Sequence, residues 1–330
     1  MSSFKFSDDT ISEREIMMAL PSIIIGVTVL SLPNQIAQVT YASDGWIGIL
    51  IGGIIIAVLT WLGAKLAAQF PNQNFMSYTS SLVGKPIAYV FTLFFIVTAI
   101  SIAAFVTRSF SDILKGYLFD QTPTEVLALA LVLITIYAVS GSRAGVFRLA
   151  MMFLPLIIAI VIATILFNLQ WIEANNFFPL FRTDIKGYIE AIGYSLSSYI
   201  GFAIVLFYVF IVNKPKKAPK AALYGIAIPT VLYLMIYLVV IGVYGNYTTS
   251  NLLHPTVGLA KRVELPGGMF ERIESVFFVI WTMAVFNTTT IALDVAVLLT
   301  KNMFKRAKKI NILFFIAPIT YYLSMLPQNY

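Results

Sequence analysis

The sequence predicts an all-α polytopic membrane protein, on three observations. Of 330 residues, 59% are hydrophobic and only 11% charged, with a mean hydropathy of +0.87, far from the roughly 25% charge of an ordinary soluble domain. Nine stretches are apolar and long enough to cross a bilayer, at about 20 residues per helix for a hydrocarbon layer of roughly 30 Å. Runs such as Ile47 to Leu62 and Leu127 to Tyr137 are apolar all round, whereas a transmembrane β-barrel would alternate over ten-residue segments. A soluble enzyme is excluded because 22 Lys and Arg plus 15 Asp and Glu cannot furnish a charged shell. With no cysteine and one histidine, disulfides, thiolate sites and His-rich metal sites are excluded, and no cofactor or metal is expected. The net charge of +7 is dispersed between apolar spans, which argues against nucleic acid as a partner.

The predicted spans are 16–39, 46–69, 87–117, 125–140, 146–168, 188–212, 221–245, 270–300 and 310–326. Residues 1–15 carry Asp8, Asp9, Glu13 and Glu15 and lack the basic start of a signal peptide, so the N-terminus is expected to be retained. Placing it in the cytoplasm puts 15 of the 22 Lys and Arg residues on the inner side, as the positive-inside rule requires. The loops 213–220 and 305–309, the latter Lys305-Arg306-Ala307-Lys308-Lys309, dominate that bias and read as topogenic charges near anionic headgroups. The fourth span is short; the third and eighth are long enough to tilt or project. Outer loops at 169–187 and 246–269 are the sizeable polar segments, and 256–263 reads as a short interfacial helix between Pro255 and Pro266. His254 before it reads as a solvated loop residue.

Two spans are interrupted. The first runs from Pro21 to Pro33 with Gly26 near its middle; the sixth carries Gly193 to Phe202, again rich in Gly and Ser. Such residues can serve close helix packing, as Gly48 and Gly52 do in the second span. Interruptions five spans apart, however, are the pattern of a transporter-like five-plus-five inverted-repeat fold with discontinuous helices 1 and 6. Residues 1–330 then form a single integral membrane domain, with repeat one at about 14–168 and an incomplete repeat two at about 188–330. Nine visible spans leave a tenth expected beyond them. Non-helical backbone at membrane depth must be satisfied by protein, water or ligand. A half-helix starting after Gly26 would offer N–H groups to a carboxylate, and carbonyls near Ser195 to Ser198 would suit an ammonium group, a pair matched to a zwitterion.

The chain resembles the B subunit of the GerA-type nutrient germinant receptors of spores. The resemblance rests on Glu13-Arg14-Glu15, the Gly26 to Pro33 segment, Asp44-Gly45-Trp46, Phe70-Pro71 and Leu82 to Lys85, and covers the whole chain. It implies the fold of the amino acid-polyamine-organocation transporters, ligand recognition at mid-membrane, residence in the inner membrane of the spore, and action with A and C subunits to trigger germination. Members of this family are usually about one helix longer. The ligand implied is a small germinant, an amino acid first. The alternative is an amino acid permease working by alternating access. Some proton-coupled relatives use a lysine in the fifth span, and Phe147 to Phe167 contains none.

By the family pattern the pocket lies between the first, third, sixth and eighth spans. Carried onto this chain, the candidates are Ile25, Gly26, Val27 and Thr28 in the first, Thr98, Ser101 and Ile102 in the third, Ser195, Ser198, Tyr199 and Gly201 in the sixth, and Asn287 and Thr288 in the eighth. Intramembrane charge adds Asp294, Arg108 and Glu190 as ion or gating candidates. Asp294 stands close enough to the inner end of its helix to pair with a cytoplasmic lysine, and Arg108 can pair with Asp112 one turn on or with Glu190 as a gate. Neither HExxH, GxSxG nor a P-loop occurs, so catalysis is not expected.

Overall fold

The structure is a computed structural model and describes residues 10–263 and 273–326. The loop from 264 and the expected first residues of the eighth span, 270–272, lie outside the described residues. The chain forms α1 (Glu13–Ile24), α2 (Thr28–Ala37), α3 (Gly45–Ala67), α4 (Phe75–Val83), α5 (Lys85–Tyr117), α6 (Thr124–Ser140), α7 (Arg143–Asn168), α8 (Ile185–Ser198), α9 (Val205–Tyr208), α10 (Ala218–Asn251), α11 (Pro255–Lys261), α12 (Ile273–Met303) and α13 (Lys309–Met325). Among the described residues the only extended pairing is an isolated bridge between Ile11 and Val212.

Both interrupted spans are present. α1 and α2 are bent by 57° across Ile25 to Val27, and α8 is bent by 49° from the segment Phe202–Ile211, which contains α9. α3, α5, α7, α10 and α12 are long and apolar enough to cross a membrane. α6 and α13 have 17 residues each, about 26 Å at 1.5 Å per residue, a few Å under the hydrocarbon thickness, a shortfall that local thinning of the bilayer accommodates. α4, nine residues with Ser77, Ser80 and Ser81, was not expected from hydropathy. α11 was, although it starts at Pro255, and His254 before it packs against the ring of Tyr117 at 6.0 Å and is half-buried rather than solvated.

Local chemistry sets the helix boundaries. Ser12 opens α1 with a capping box: its hydroxyl accepts from the Glu15 amide, and the Glu15 carboxylate accepts from the Ser12 amide, satisfying two amides that the helix leaves open. Asn74, Ser142 and Asp184 cap α4, α7 and α8 in the same sense. Burial then sorts the helices. In their most apolar stretches α10 and α12 are 61% and 67% buried, against 39%, 39% and 33% for α3, α5 and α7, so α10 and α12 form the interior with α1. The outer helices turn Ile54, Val58, Val90, Phe94, Leu129 and Leu133 outward, the exposure expected of a surface solvated by hydrocarbon. α3 comes close to the interior because its glycines leave room. A Cβ at Gly52 would meet the Ser195 side chain, and one at Gly48 would meet Ala191 Cβ at 2.7 Å, both on α8.

The face where α1 begins is closed by the residues before it. The Ile11 amide donates to the Ile211 carbonyl and the Asn213 amide to the Ile11 carbonyl, each at 2.9 Å, while Glu15 pairs with Arg148 at 3.3 Å. On the opposite face the turn between α2 and α3 anchors the long loop before α8. The buried Asp44 carboxylate accepts from the amides of Phe181, Arg182 and Thr183 at 2.6, 2.8 and 2.9 Å, and from the Thr183 hydroxyl at 2.9 Å. Burial by itself would raise its pKa, but these four donors prevail and hold it below the ordinary carboxylate value. A depressed folded-state value means that the anchor contributes fully above the unfolded Asp pKa of about 3.9 and is lost as pH falls through the lower folded value. Asp44→Asn turns a donor toward these amides, so thermal unfolding at pH 7 should show a loss of about 1.5–3 kcal/mol. The gap from the parent protein should shrink below pH 4; an equal gap at pH 7 and below pH 4 would show that the carboxylate charge is not what holds the loop.

Candidate functional site

The two breaks meet at the centre of the bundle, and polar groups of their neighbours take up carbonyls that they release. A helix interrupted at depth leaves carbonyls and amides without intrahelical partners. At the first break the Ile23 carbonyl accepts from Thr288 Oγ1 at 2.7 Å, the Ile24 carbonyl from the Tyr233 hydroxyl at 2.8 Å, and the Gly26 carbonyl from Trp281 Nε1 at 2.9 Å. At the second, the Ser198 carbonyl accepts from Thr28 Oγ1 at 3.0 Å and lies 3.3 Å from the Tyr233 hydroxyl. Thr28 and Tyr233 are themselves 3.1 Å apart. Tyr233, on α10, thus touches both breaks, and Tyr199 follows by donating to Thr230 Oγ1 on the same helix at 2.9 Å. The Ser198 carbonyl is therefore engaged within the protein rather than offered to an ammonium group.

Beside the second break lies a cavity of about 400 Å³. Its wall is formed by α5 (Phe94, Phe95, Thr98, Ile102), the second break and the segment after it (Tyr199 to Ile204, Phe207), and α12 (Thr288, Ile291, Ala292, Val295), with Ile23 closing it from α1. No charged side chain lines it. The chain turns at Gly201, whose φ of +97° is a conformation that L side chains rarely adopt, and a Cβ there would meet Ile23 at 2.7 Å. Glycine is required on both counts.

Five of the expected residues line this cavity: Thr98, Ile102, Tyr199, Gly201 and Thr288. The others are placed elsewhere. Ile25 packs into a small gap against α7 and α12 on the far side of the break. Gly26 and Val27 lie in the break and Thr28 opens α2; the Gly26 carbonyl and the Thr28 hydroxyl are engaged by Trp281 and the Ser198 carbonyl, and a Cβ at Gly26 would fall 2.5 Å from Thr288 Oγ1. Ser101 is exposed on a shallow groove of the outer surface. Ser195 faces α3 and donates to the Ile49 carbonyl at 3.4 Å, Ser198 donates to the Tyr194 carbonyl of its own helix at 3.0 Å, and Asn287 donates to Ser22 Oγ at 2.7 Å. Small and polar residues in the breaks thus hold helices together, while the walls of the cavity are chiefly apolar.

The ionisable candidates separate as well. Arg108 pairs with Asp112 at 2.7 Å and Glu190 with Lys186 at 3.8 Å, each within one helix, so the gate between Arg108 and Glu190 is not formed. Asp294 is buried. It accepts from the Tyr208 hydroxyl at 2.7 Å and pairs with Arg143 at 3.3 Å and Lys309 at 3.7 Å. Tyr208 and Asp294 adjoin Phe207 and Val295 of the cavity lining in sequence, so this cluster stands between the cavity and the face where α1 begins. Among the described residues no group of three His, Asp or Glu could hold a metal ion.

Comparison with known proteins agrees with this architecture. The family model described as spore germination protein matches residues 10–330. The chain is 38% identical to spore germination protein GerLB of Bacillus cereus over 100% of its length and 88% of the relative's. It is 30% identical to spore germination protein YndE of Bacillus subtilis over 91% and 83%. Among solved structures it resembles Mhp1, a nucleobase-cation-symport-1 family transporter with bromovinylhydantoin bound, at a TM-score of 0.77 and 11% identity over 98% of this chain and 74% of that one. MhsT in complex with L-phenylalanine gives 0.73 at 16% identity over 96% and 79%. At these identities the likeness shows a shared fold, that of these transporters. The chain is thus an integral, multi-pass membrane protein that belongs to the spore germination protein family, as a B-type member of the germinant receptors.

Proposed function

We propose that this chain is the germinant-binding subunit of a nutrient receptor. It holds a small germinant, most readily an amino acid with an apolar side chain, in the cavity beside the second break, and passes the resulting change to A and C subunits in the inner membrane of the spore. Its N-terminus faces the cytoplasm in this reading, in line with the excess of Lys and Arg on that side. The observation that carries the reading is the cavity of about 400 Å³ seated on the second break. Its aromatic and aliphatic walls suit an apolar side chain, and Thr98, Ser197, Thr288 and the backbone at Gly201 are its polar groups. A ligand held between α5, the broken sixth span and α12 contacts three elements at once. A signal then requires only that it bind one arrangement of them better than another.

The test uses the full chain in liposomes with a panel of labelled amino acids, recording equilibrium binding and time-dependent accumulation together. Saturable binding of an apolar amino acid without accumulation is the expected result. Concentrative or exchange-driven uptake would assign the chain to the permease reading, and no saturable binding across the panel would remove the cavity from consideration as an amino acid site.

A further inference from the structure

A second, quite different cavity of about 610 Å³ lies at the face where α1 begins, where α4 and α5 start and α12 ends. Three cations point to it: Lys85 at the first position of α5, and Lys305 and Arg306 just beyond α12. No carboxylate is among its lining residues. Asn302 Nδ2, also at this cavity, is buried without a hydrogen-bond partner, a donor left open where burial normally demands an acceptor. The basic run from Lys305 to Lys309 is thereby divided. Lys309 turns inward to Asp294 and to the Gly141 carbonyl at 2.7 Å, while Lys305 and Arg306 turn to the cavity, so a single role as solvated topogenic charge does not describe both.

The surroundings indicate what would fill it. Leu82 and Val83 on α4, Val90 on α5 and Phe304 after α12 are exposed apolar side chains, each in or within a few residues of the lining. Cations at helix ends with apolar surface running away from them match a molecule with an anionic head and hydrocarbon tails. We propose that this cavity binds the phosphate-bearing headgroup of an anionic phospholipid, with Lys85, Lys305, Arg306 and the Asn302 amide as its donors and the acyl chains along the exposed faces of α4 and α5. Basic pockets between membrane helices take such headgroups by charge, and each cation near the surface adds measurably to the attraction. The bound lipid would tie the start of α5 to the end of α12, the two long helices that also wall the cavity beside the second break.

The experiment places the full chain in phosphatidylcholine nanodiscs with and without phosphatidylglycerol, and reads both thermal stability and the lipid retained in native mass spectrometry. Phosphatidylglycerol is expected to raise the unfolding temperature and to be retained. The combination Lys85→Gln, Lys305→Gln and Arg306→Gln should weaken retention about tenfold or more while unfolding normally in phosphatidylcholine alone, and Asn302→Leu should weaken it less. Lys216→Gln with Lys217→Gln, on the other basic loop of that face, should leave retention unchanged. Equal retention by the triple variant, or an equal loss in the Lys216 and Lys217 variant, would overturn the site in favour of diffuse attraction to the membrane surface. If inorganic phosphate or glycerol phosphate in detergent reproduces the whole stabilisation, the ligand is a soluble phosphate and the lipid assignment fails.

Discussion

Asp294→Ala is expected to destabilise the protein by about 3–5 kcal/mol, because removing one partner of a buried ion pair strands the others. The carboxylate side chain is 2% exposed and those of Arg143 and Lys309 are 22% and 21% exposed, so without Asp294 two cations remain largely out of water, with Tyr208 deprived of its acceptor. The cluster joins four elements through one residue: α12 by Asp294, the second half of the sixth span by Tyr208, and the starts of α7 and α13 by Arg143 and Lys309. Asp294→Asn keeps an acceptor for Tyr208 but loses the charge and should fall between parent and Ala. Adding Arg143→Met to Asp294→Ala should recover part of the loss, since the stranded charge is removed with its partner. Thermal unfolding of the purified variants in one detergent measures all four proteins. A stability of Asp294→Ala equal to that of the parent would mean that the carboxylate is not the counter-ion the geometry indicates.

What could be read from the sequence, and what could not, follows from which forces are local. The apolar helices were legible because burying about 20 residues in hydrocarbon leaves a composition signal that no packing detail can erase; among the described residues seven spans, two of them broken, reach that length, and α6 and α13 are shorter apolar helices. The first break was legible at Gly26 because proline, glycine and hydroxyl residues accumulate there, and the helix indeed stops at Ile24 and resumes at Thr28. The second falls at the C-terminal end of the expected stretch from Gly193 to Phe202. Ser195 and Ser198 stay inside α8, where Ser198 bonds back to its own helix, and the turn falls at Gly201, the residue free to take a positive φ. α4 was missed because nine residues with three serines make no hydropathy window.

The site was legible only in part, for a physical reason. Polar residues attract notice in an apolar sequence, but inside a membrane protein they are usually spent on one another. Asn287 goes to Ser22, Thr28 to Ser198 and Ser195 to Ile49. The lining is instead written in apolar residues at helical spacing around the few polar ones: Phe94, Thr98 and Ile102 along α5, and Thr288, Ile291, Ala292 and Val295 along α12. Extending each polar candidate by three, four and seven residues would have recovered much of it. Tyr233 and Trp281, which hold the breaks from other helices, leave no comparable mark, since nothing in their neighbourhood announces a partner some two hundred residues away.

Gly26→Trp should abolish amino acid binding while leaving the protein in the membrane. The first break has no room for a side chain: a Cβ at position 26 would lie 2.5 Å from Thr288 Oγ1 and 3.4 Å from Thr288 Cβ, well inside contact distance before any indole is added. Thr288 cannot simply step aside, because its hydroxyl donates to the Ile23 carbonyl and lies 3.0 Å from the Ala284 carbonyl, and its side chain is part of the cavity wall. Displacing it opens the Ile23 carbonyl and disturbs α12 where the cavity passes, and Trp281, bonded to the Gly26 carbonyl, moves with the backbone. Insertion depends on the apolar length of the span, which a tryptophan does not shorten. Gly26→Ala separates the two effects: the Cβ alone requires a shift of a few tenths of an ångström to about 1 Å at Thr288 for ordinary contact, so binding should weaken by about tenfold or more. Combining Gly26→Ala with Thr288→Ala, which removes the Oγ1 that the new Cβ meets at the cost of the bond to the Ile23 carbonyl, should restore part of the affinity. Binding isotherms on proteoliposomes with equal amounts of inserted protein provide the measurement. Unchanged affinity in Gly26→Trp would place the ligand away from the cavity that Thr288 lines, and failure of Thr288→Ala to help Gly26→Ala would show that the contact between these two residues is not what limits binding.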